Sequence, residues 1–263
     1  MDLHDYADVA ENYDLYLAEM YRNGGGFDGF EDFYLALARK YGQGGVIDIA
    51  CGTGAVLLHL ARAGIMADGV DLSEAMVEVA REKALREGLA LNIFPGNMAS
   101  FDSGRRYSLA IIARSGFMHL LTPALQRQAL LNIRGQLVDG GVLTLNTFAP
   151  NPALQAVQMK TGPEDYAPRV EYVNSQGMKE RIDCAIGYDP LTQVMSGNWR
   201  FVTLDGAGRV VSERVRPLAM RQTYKQEMMY LFELCGFEII EVYGDYHGSV
   251  EETGHYVWVV RKG

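Results

Sequence analysis

Two hydrophobic periods alternate along the first half of the chain. Short apolar runs at 46–49, 66–70, 90–94 and 107–113 are each followed by a stretch whose apolar residues recur every three or four positions. The short runs read as buried strands and the longer stretches as amphipathic helices. Val56, Leu57 and Leu60 share one helical face before Gly64. A second helix, 74–87, takes Ser73 as its N-cap and stops at Gly88. A third opens at Thr122-Pro123, carries Leu130, Ile133 and Leu137 on one face, and ends at Asp139-Gly140-Gly141 ahead of a fifth strand. Strands separated by single helices predict an α/β protein with a mostly parallel sheet.

The flanks follow other patterns. Upstream, Phe30, Phe33, Tyr34, Leu37, Ala38 and Tyr41 line one face of a helix that stops at Gly42, whereas 6–16 is aromatic and acidic with no strand alternation. Downstream of Asn151, stretches 179–188, 193–204 and 209–218 are extended in character, with turn signals at Asp189-Pro190 and Asp205-Gly206-Ala207-Gly208. They predict an antiparallel meander inserted after the fifth strand. Thr223-Tyr224-Lys225-Gln226 has a capping-box pattern before a helix bearing Met228, Leu231, Phe232 and Cys235, and two strands follow at 237–243 and 255–260. The expected organisation is a cap and core over 1–150, an inserted subdomain over 151–220, and a closing helix and hairpin over 221–263.

Composition narrows the function classes. With 263 residues, 48% of them hydrophobic, the chain can bury a large core. A formal charge of −9 argues against a nucleic-acid partner, since phosphate backbones are held by clustered Lys and Arg. No apolar run approaches the roughly 20 residues of a membrane helix. The opening Met1-Asp2-Leu3-His4-Asp5 is acidic where a secretion signal is basic, so a cytoplasmic location is expected. Cys51, Cys184 and Cys235 lie far apart in no metal-ligand spacing and read as apolar fillers, with no metal site.

The candidate chemistry centres on 44–54. Gly52 and Gly54 leave the backbone open to a ligand, and the helix that follows turns free N–H groups and a positive dipole end toward it. This is a nucleotide-binding turn. A dinucleotide fingerprint needs a third glycine where Leu57 stands. Asp48-Ile49-Ala50-Cys51-Gly52-Thr53-Gly54 instead resembles the first motif of the class I S-adenosylmethionine-dependent methyltransferases, with Ala50 where that family often has glycine. Asp71 ends the second strand about 20 positions beyond Gly52, where an acid accepts from both ribose hydroxyls; a helix-capping role is the alternative. Leu137-Val138-Asp139-Gly140-Gly141 resembles the family's L-x-x-G-G turn into the fifth strand, so the resemblance spans 44 to about 148.

The resemblance implies a Rossmann-like seven-stranded, mostly parallel sheet with an antiparallel C-terminal hairpin and a β-meander lid. It implies S-adenosyl-L-methionine as cofactor and methyl transfer to the nitrogen or oxygen of a small molecule, on an arrangement similar to the sugar N-methyltransferases. Asn97 falls where the family carries an acid for the adenine amino group, and its carbonyl can still accept one bond. Leu72 and Met98 would sandwich the adenine or else pack in the core. Arg114, Phe117 and His119 follow the fourth strand, beside the methyl group; Phe117 is expected to contact the acceptor, and Arg114 to join the cofactor site, to meet a substrate anion or to pair with an acidic neighbour such as Asp48. His119 is either the base for a protic acceptor or a structural histidine. Tyr13 resembles the tyrosine of the family's Y-D-x-x pattern, which approaches the methionine end, so a catalytic role there is expected of it, and Tyr16, one turn on, is expected to contact the acceptor. Arg181, Arg200, Arg214, Arg216 and Arg221 concentrate in or beside the insertion, where they receive an anionic acceptor, with Arg200 and Arg221 as its contacts, or form a solvated face. Tyr246 and His247 could reach the pocket mouth. Two rivals stand: an NAD-dependent oxidoreductase, and a catalytically silent S-adenosylmethionine-binding module.

Overall fold

The computed structural model describes residues 6, 9–22, 27–250 and 254–263; the acidic opening 1–5 lies outside them. After α1 (Tyr13–Tyr21) and α2 (Phe30–Tyr41) come β1 (Val46–Ile49), α3 (Ala55–Arg62), β2 (Ala67–Asp71), α4 (Glu74–Arg86), β3 (Ile93–Pro95), β4 (Tyr107–Ile112), α5 (Pro123–Gln136) and β5 (Leu137–Phe148). The insertion contributes α6 (Pro152–Gln158), β6 (Ala167–Val173), β7 (Lys179–Asp189), β8 (Val194–Leu204) and β9 (Val210–Arg221). The chain closes with α7 (Lys225–Leu234), β10 (Phe237–Tyr243) and β11 (His255–Lys262).

One seven-stranded sheet runs β10-β11-β5-β4-β1-β2-β3. β1 pairs in parallel with both β2 and β4, so the winding reverses at β1 and opens a crevice at the carboxyl ends of these strands. The reversed strand is β11, antiparallel to β5 on one side and to β10 on the other, which places it inside the sheet and leaves β10 as the edge. Trp258 and Val260 of β11 pack with α7 residues Met228 and Phe232 on one face. Val257 and Val259 join α2 and α3 on the other. Both faces are covered, as a parallel sheet requires.

Several boundaries differ from the sequence reading. β5 starts at Leu137 rather than after Gly141: Leu137 pairs with Tyr107, and the register then slips across Val138 to Gly141, where Gly140 takes a φ of 71°. The L-x-x-G-G turn is a bulge within a strand. β3 is confined to 93–95. The cap of α7 is Tyr224, whose N–H donates to the Glu227 carboxylate at 3.4 Å, while the Thr223 hydroxyl accepts from Gln126 and Arg221.

The insertion forms a second sheet of order β6-β7-β8-β9, antiparallel throughout. It has four strands where three were read, since β6 was missed, and α6 precedes it. Ile182 and Phe201 from this sheet, with Tyr172, surround Tyr16 and Leu17 of α1. The Asn12 side chain accepts from Ser175 N–H at 2.8 Å. α1 therefore belongs to the inserted sheet as much as to the core.

Candidate active site

The residues of 48–54 build a turn of left-handed conformations: Ala50, Gly52 and Gly54 have φ of 57°, 55° and 86°. Ala50 holds a conformation that a side chain makes costly, which is the physical reason for glycine at that place in related motifs. A Cβ on Gly52 would meet nothing within 4 Å, whereas one on Gly54 would press on Ala80 at 3.3 Å. Gly52 faces the crevice; Gly54 seats α3 against α4. The close helix–strand packing that a third glycine would provide is supplied from the strand, because a Cβ on Gly69 would lie 2.3 Å from Leu57 Cδ1. Leu57 fills the space that Gly69 leaves.

Asp71, at the end of β2, accepts from Gly52 N–H at 2.8 Å and from Ser73 N–H at 2.9 Å. One carboxylate fixes both the glycine turn and the start of the next loop, and Ser73 caps α4 through Met76 N–H. Asp48 is buried, and its Oδ1 has no hydrogen-bond partner among the described residues. Burial, with the Asp71 charge adding to it, pushes its carboxyl well above the usual range. A polar atom in that condition suits a cationic or hydrogen-bond-donating ligand.

Asp48, Ala50, Gly52 and Asp71 line one cavity of about 210 Å³. Of the residues singled out in the sequence, Tyr13, Asp48, Ala50, Gly52, Asp71, Leu72, Asn97, Met98, Arg114 and His119 line it. Leu72 is 46% exposed, too much for a core filler. Asn97 turns its carbonyl to Ala99 N–H at 2.8 Å, so the expected acceptor is engaged in a local turn and its amide group is the remaining donor. The Arg114 guanidinium lies over the Phe30 ring at 4.7 Å instead of pairing with Asp48. Arg114 and Ser115 are both left-handed, and buried Asn146 of β5 grips this bend: its carbonyl accepts from Ser115 N–H and its amide donates to Ser115 Oγ, both at 2.8 Å. The bend directs the short helical turn Gly116–His119 to the cavity wall.

The described part of the roof comes from ahead of β1. Tyr6 and Tyr13 meet edge to face at 6.1 Å, Tyr6 meets His119 at 6.4 Å, and the guanidinium of Arg216 on β9 stacks on Tyr6 at 3.5 Å. Burial holds the Tyr6 and Tyr13 hydroxyls protonated, pushing both up. Tyr6 and Thr53 went unassigned in the sequence reading, and Arg216 was read only as one of the arginines for an anionic acceptor or a solvated face; Thr53 was discernible from its place between the two glycines.

The expected acceptor contacts are not at the cavity. Tyr16 is buried among Tyr172, Trp199 and Phe201. Phe117 is fully buried in the main core. Arg200 pairs with Asp183 at 3.0 Å and stacks on Tyr166, and Arg221 is buried against Gln126, Thr223, Gln193 and Glu227. Arg181 also pairs with Asp183, and Arg214 with Glu180 at 2.9 Å. Carboxylates of the insertion and the α7 cap thus answer most of the arginines that suggested an anionic acceptor. Tyr246 is buried beside Phe30, Phe33 and Tyr34, and His247 faces Asp28. Among the described residues no His, Cys, Asp and Glu cluster suits a metal, and no helix is long and apolar enough to cross a membrane.

Comparison with known proteins agrees with this geometry. Residues 46–141 match the methyltransferase-domain family. A putative methyltransferase of Geobacillus sp. (strain WCH70) is 28% identical over 126 residues, 47% of this chain, and the match spans about half (51%) of that relative's length. A dTDP-3-amino-3,6-dideoxy-alpha-D-glucopyranose N,N-dimethyltransferase of Streptomyces fradiae is 29% identical over 188 residues, 68% of this chain and 70% of the relative. The crystal structure of an S-adenosylmethionine-dependent methyltransferase from Clostridium acetobutylicum superposes with a TM-score of 0.77 at 16% identity, covering 98% of this chain and 99% of the other. Residues 46–141 thus match a methyltransferase domain, and the whole chain has a fold similar to that of an S-adenosylmethionine-dependent methyltransferase.

Proposed function

We propose that the protein transfers a methyl group from S-adenosyl-L-methionine to a nitrogen of a small molecule, with amino sugars as the first class to test. The observation that carries this reading is the pairing of Asp71, bound to the glycine turn, with the open, Cβ-free face of Gly52 in one cavity with Asp48. The donor set fits the cofactor: Asp71 offers carboxylate lone pairs for ribose hydroxyls, the orphaned Asp48 Oδ1 suits an ammonium, and Leu72 and Met98 provide apolar faces for a purine. When bound, the cofactor supplies a methyl carbon made electrophilic by sulfonium charge. The chain's own residues do the rest. Tyr6 and Tyr13 shield the site from water, His119 accepts a proton from a protic acceptor, and Asn146 holds the bend that presents His119. An amine acceptor is favoured by the Streptomyces fradiae relative, which acts on an amino sugar nucleotide.

Titration calorimetry with S-adenosylhomocysteine tests the reading, with NADH in parallel. Micromolar binding is expected, weakened by about 2 kcal/mol or more in Asp71→Ala, where charge-assisted bonds are lost. Binding of NADH alone would overturn the reading. Binding of the homocysteine product with no methylation of any amine or alcohol acceptor would leave a silent binding module.

A further inference from the structure

We infer that Asp14 is a positioning residue that latches α1 onto the cofactor turn, so that α1 and the inserted sheet close over the cavity as one cap. The inference rests on the cofactor reading above. Three observations meet at Asp14. Its Oδ1 accepts from the Thr53 hydroxyl at 2.7 Å, and its Oδ2 is ion-paired with Lys83 of α4. Lys83 Nζ also donates to the Thr53 carbonyl at 3.1 Å, closing a three-membered ring of contacts. Thr53 sits between Gly52 and Gly54 and lines the cavity, and Tyr13, the neighbour of Asp14, lines it from above.

The other side of α1 is committed to the inserted sheet. Tyr16 meets Trp199 at 5.9 Å and Phe201 at 6.0 Å, and Leu17 joins the same apolar cluster. Displacing α1 alone would expose that cluster, so α1 and the sheet move together. The cap is also anchored to the core where the insertion returns at the end of β9. There buried Arg221 donates to Gln126 at 2.8 Å, and Gln155 donates to Gln222 at 2.7 Å. One end is thus a buried polar network. The other is an ion pair whose Asp14 side chain is 45% exposed, weak enough to open on the scale of a turnover. A cofactor roofed by Tyr6 and Tyr13 must exchange with solvent, and breaking the Asp14 contacts releases this roof while the buried network holds.

The test follows dissociation of S-adenosylhomocysteine by stopped flow, read through the fluorescence of Trp199, with the core Trp258 as a constant background. Asp14→Ala and Lys83→Met are each expected to raise the dissociation rate roughly tenfold, the equivalent of about 1.4 kcal/mol. The double variant should be no faster than either single one, because the two groups serve one contact. Thermal midpoints and circular dichroism should stay near those of the unsubstituted protein. Unchanged rates, multiplicative effects in the double variant, or rates that rise only together with a fall in thermal midpoint would each overturn the latch. If the unsubstituted protein takes up no S-adenosylhomocysteine, the cofactor reading fails and the latch with it; uptake with unaltered variant rates defeats the latch alone.

Discussion

Asp48 is a buried carboxyl whose Oδ1 has no hydrogen-bond partner among the described residues. Its raised carboxyl means that the fold favours the neutral form. That contribution is complete below the ordinary carboxylate range near pH 4 and is lost as pH rises through the folded value. Asp48→Asn keeps a neutral group at every pH. It should therefore raise the melting temperature of the ligand-free protein at pH 8 more than at pH 4, while weakening S-adenosylmethionine binding by about 1.5–3 kcal/mol; differential scanning calorimetry and titration calorimetry read the two effects. Asp48, Gly52, Asp71, Met98 and His119 could be placed at one cavity from the sequence because each lies near or beyond the carboxyl end of a strand, and a doubly wound sheet brings those ends together. Asn97 was legible in place but not in detail, since its carbonyl is taken by a bond to a residue only two positions on. Tyr16, Arg200 and Arg221 were misplaced because their surroundings depend on how a remote sheet packs, which local periodicity does not encode.

At the scale of elements, the contact between α3 and β2 decides how closely the glycine turn approaches its sheet. Gly69 and Leu57 are complementary: the strand gives up a side chain so that the helix can keep one. Gly69→Ala would bring its Cβ against Leu57 Cδ1, with Cys51 Sγ at 3.2 Å and Ile93 Cγ2 at 3.3 Å leaving little room for adjustment. A loss of about 1–3 kcal/mol in urea unfolding is expected. Helices and strands of the core were readable because their apolar faces repeat cleanly and their caps are explicit, as at Ser73 and Thr122. β6 escaped notice because it is a sheet edge with Tyr172 as its one fully buried side chain. α1 escaped for the opposite reason: its Tyr13 serves the cavity while Tyr16 and Leu17 serve the sheet, so no single apolar stripe marks it.

Across the whole molecule, the inserted sheet differs from the core in holding a cluster of arginines paired with buried carboxylates. Burial alone would raise the Asp183 carboxyl, yet the guanidiniums of Arg181 and Arg200 outweigh it and hold the group below the usual range. Its stabilising contribution is present above about pH 4 and disappears as pH falls through the lowered value. Asp183→Asn should cost about 1–3 kcal/mol at pH 7 and progressively less toward pH 2, as followed by the fluorescence of Trp199 on the adjacent strand. Arg181, Arg200 and Arg214 serve the cohesion of the inserted sheet, each paired with one of its carboxylates, whereas Arg216 and Arg221 reach beyond it to Tyr6 and to α5 and α7.

The attachment of α1 to the inserted sheet also sets the unit of recombination. A chimera that exchanges 151–220 between relatives while keeping the host's 9–22 would join two halves of an aromatic interface that were never fitted to one another. The transplantable module is discontinuous, made of both segments, and exchanges that respect this should be the ones that remain soluble and folded.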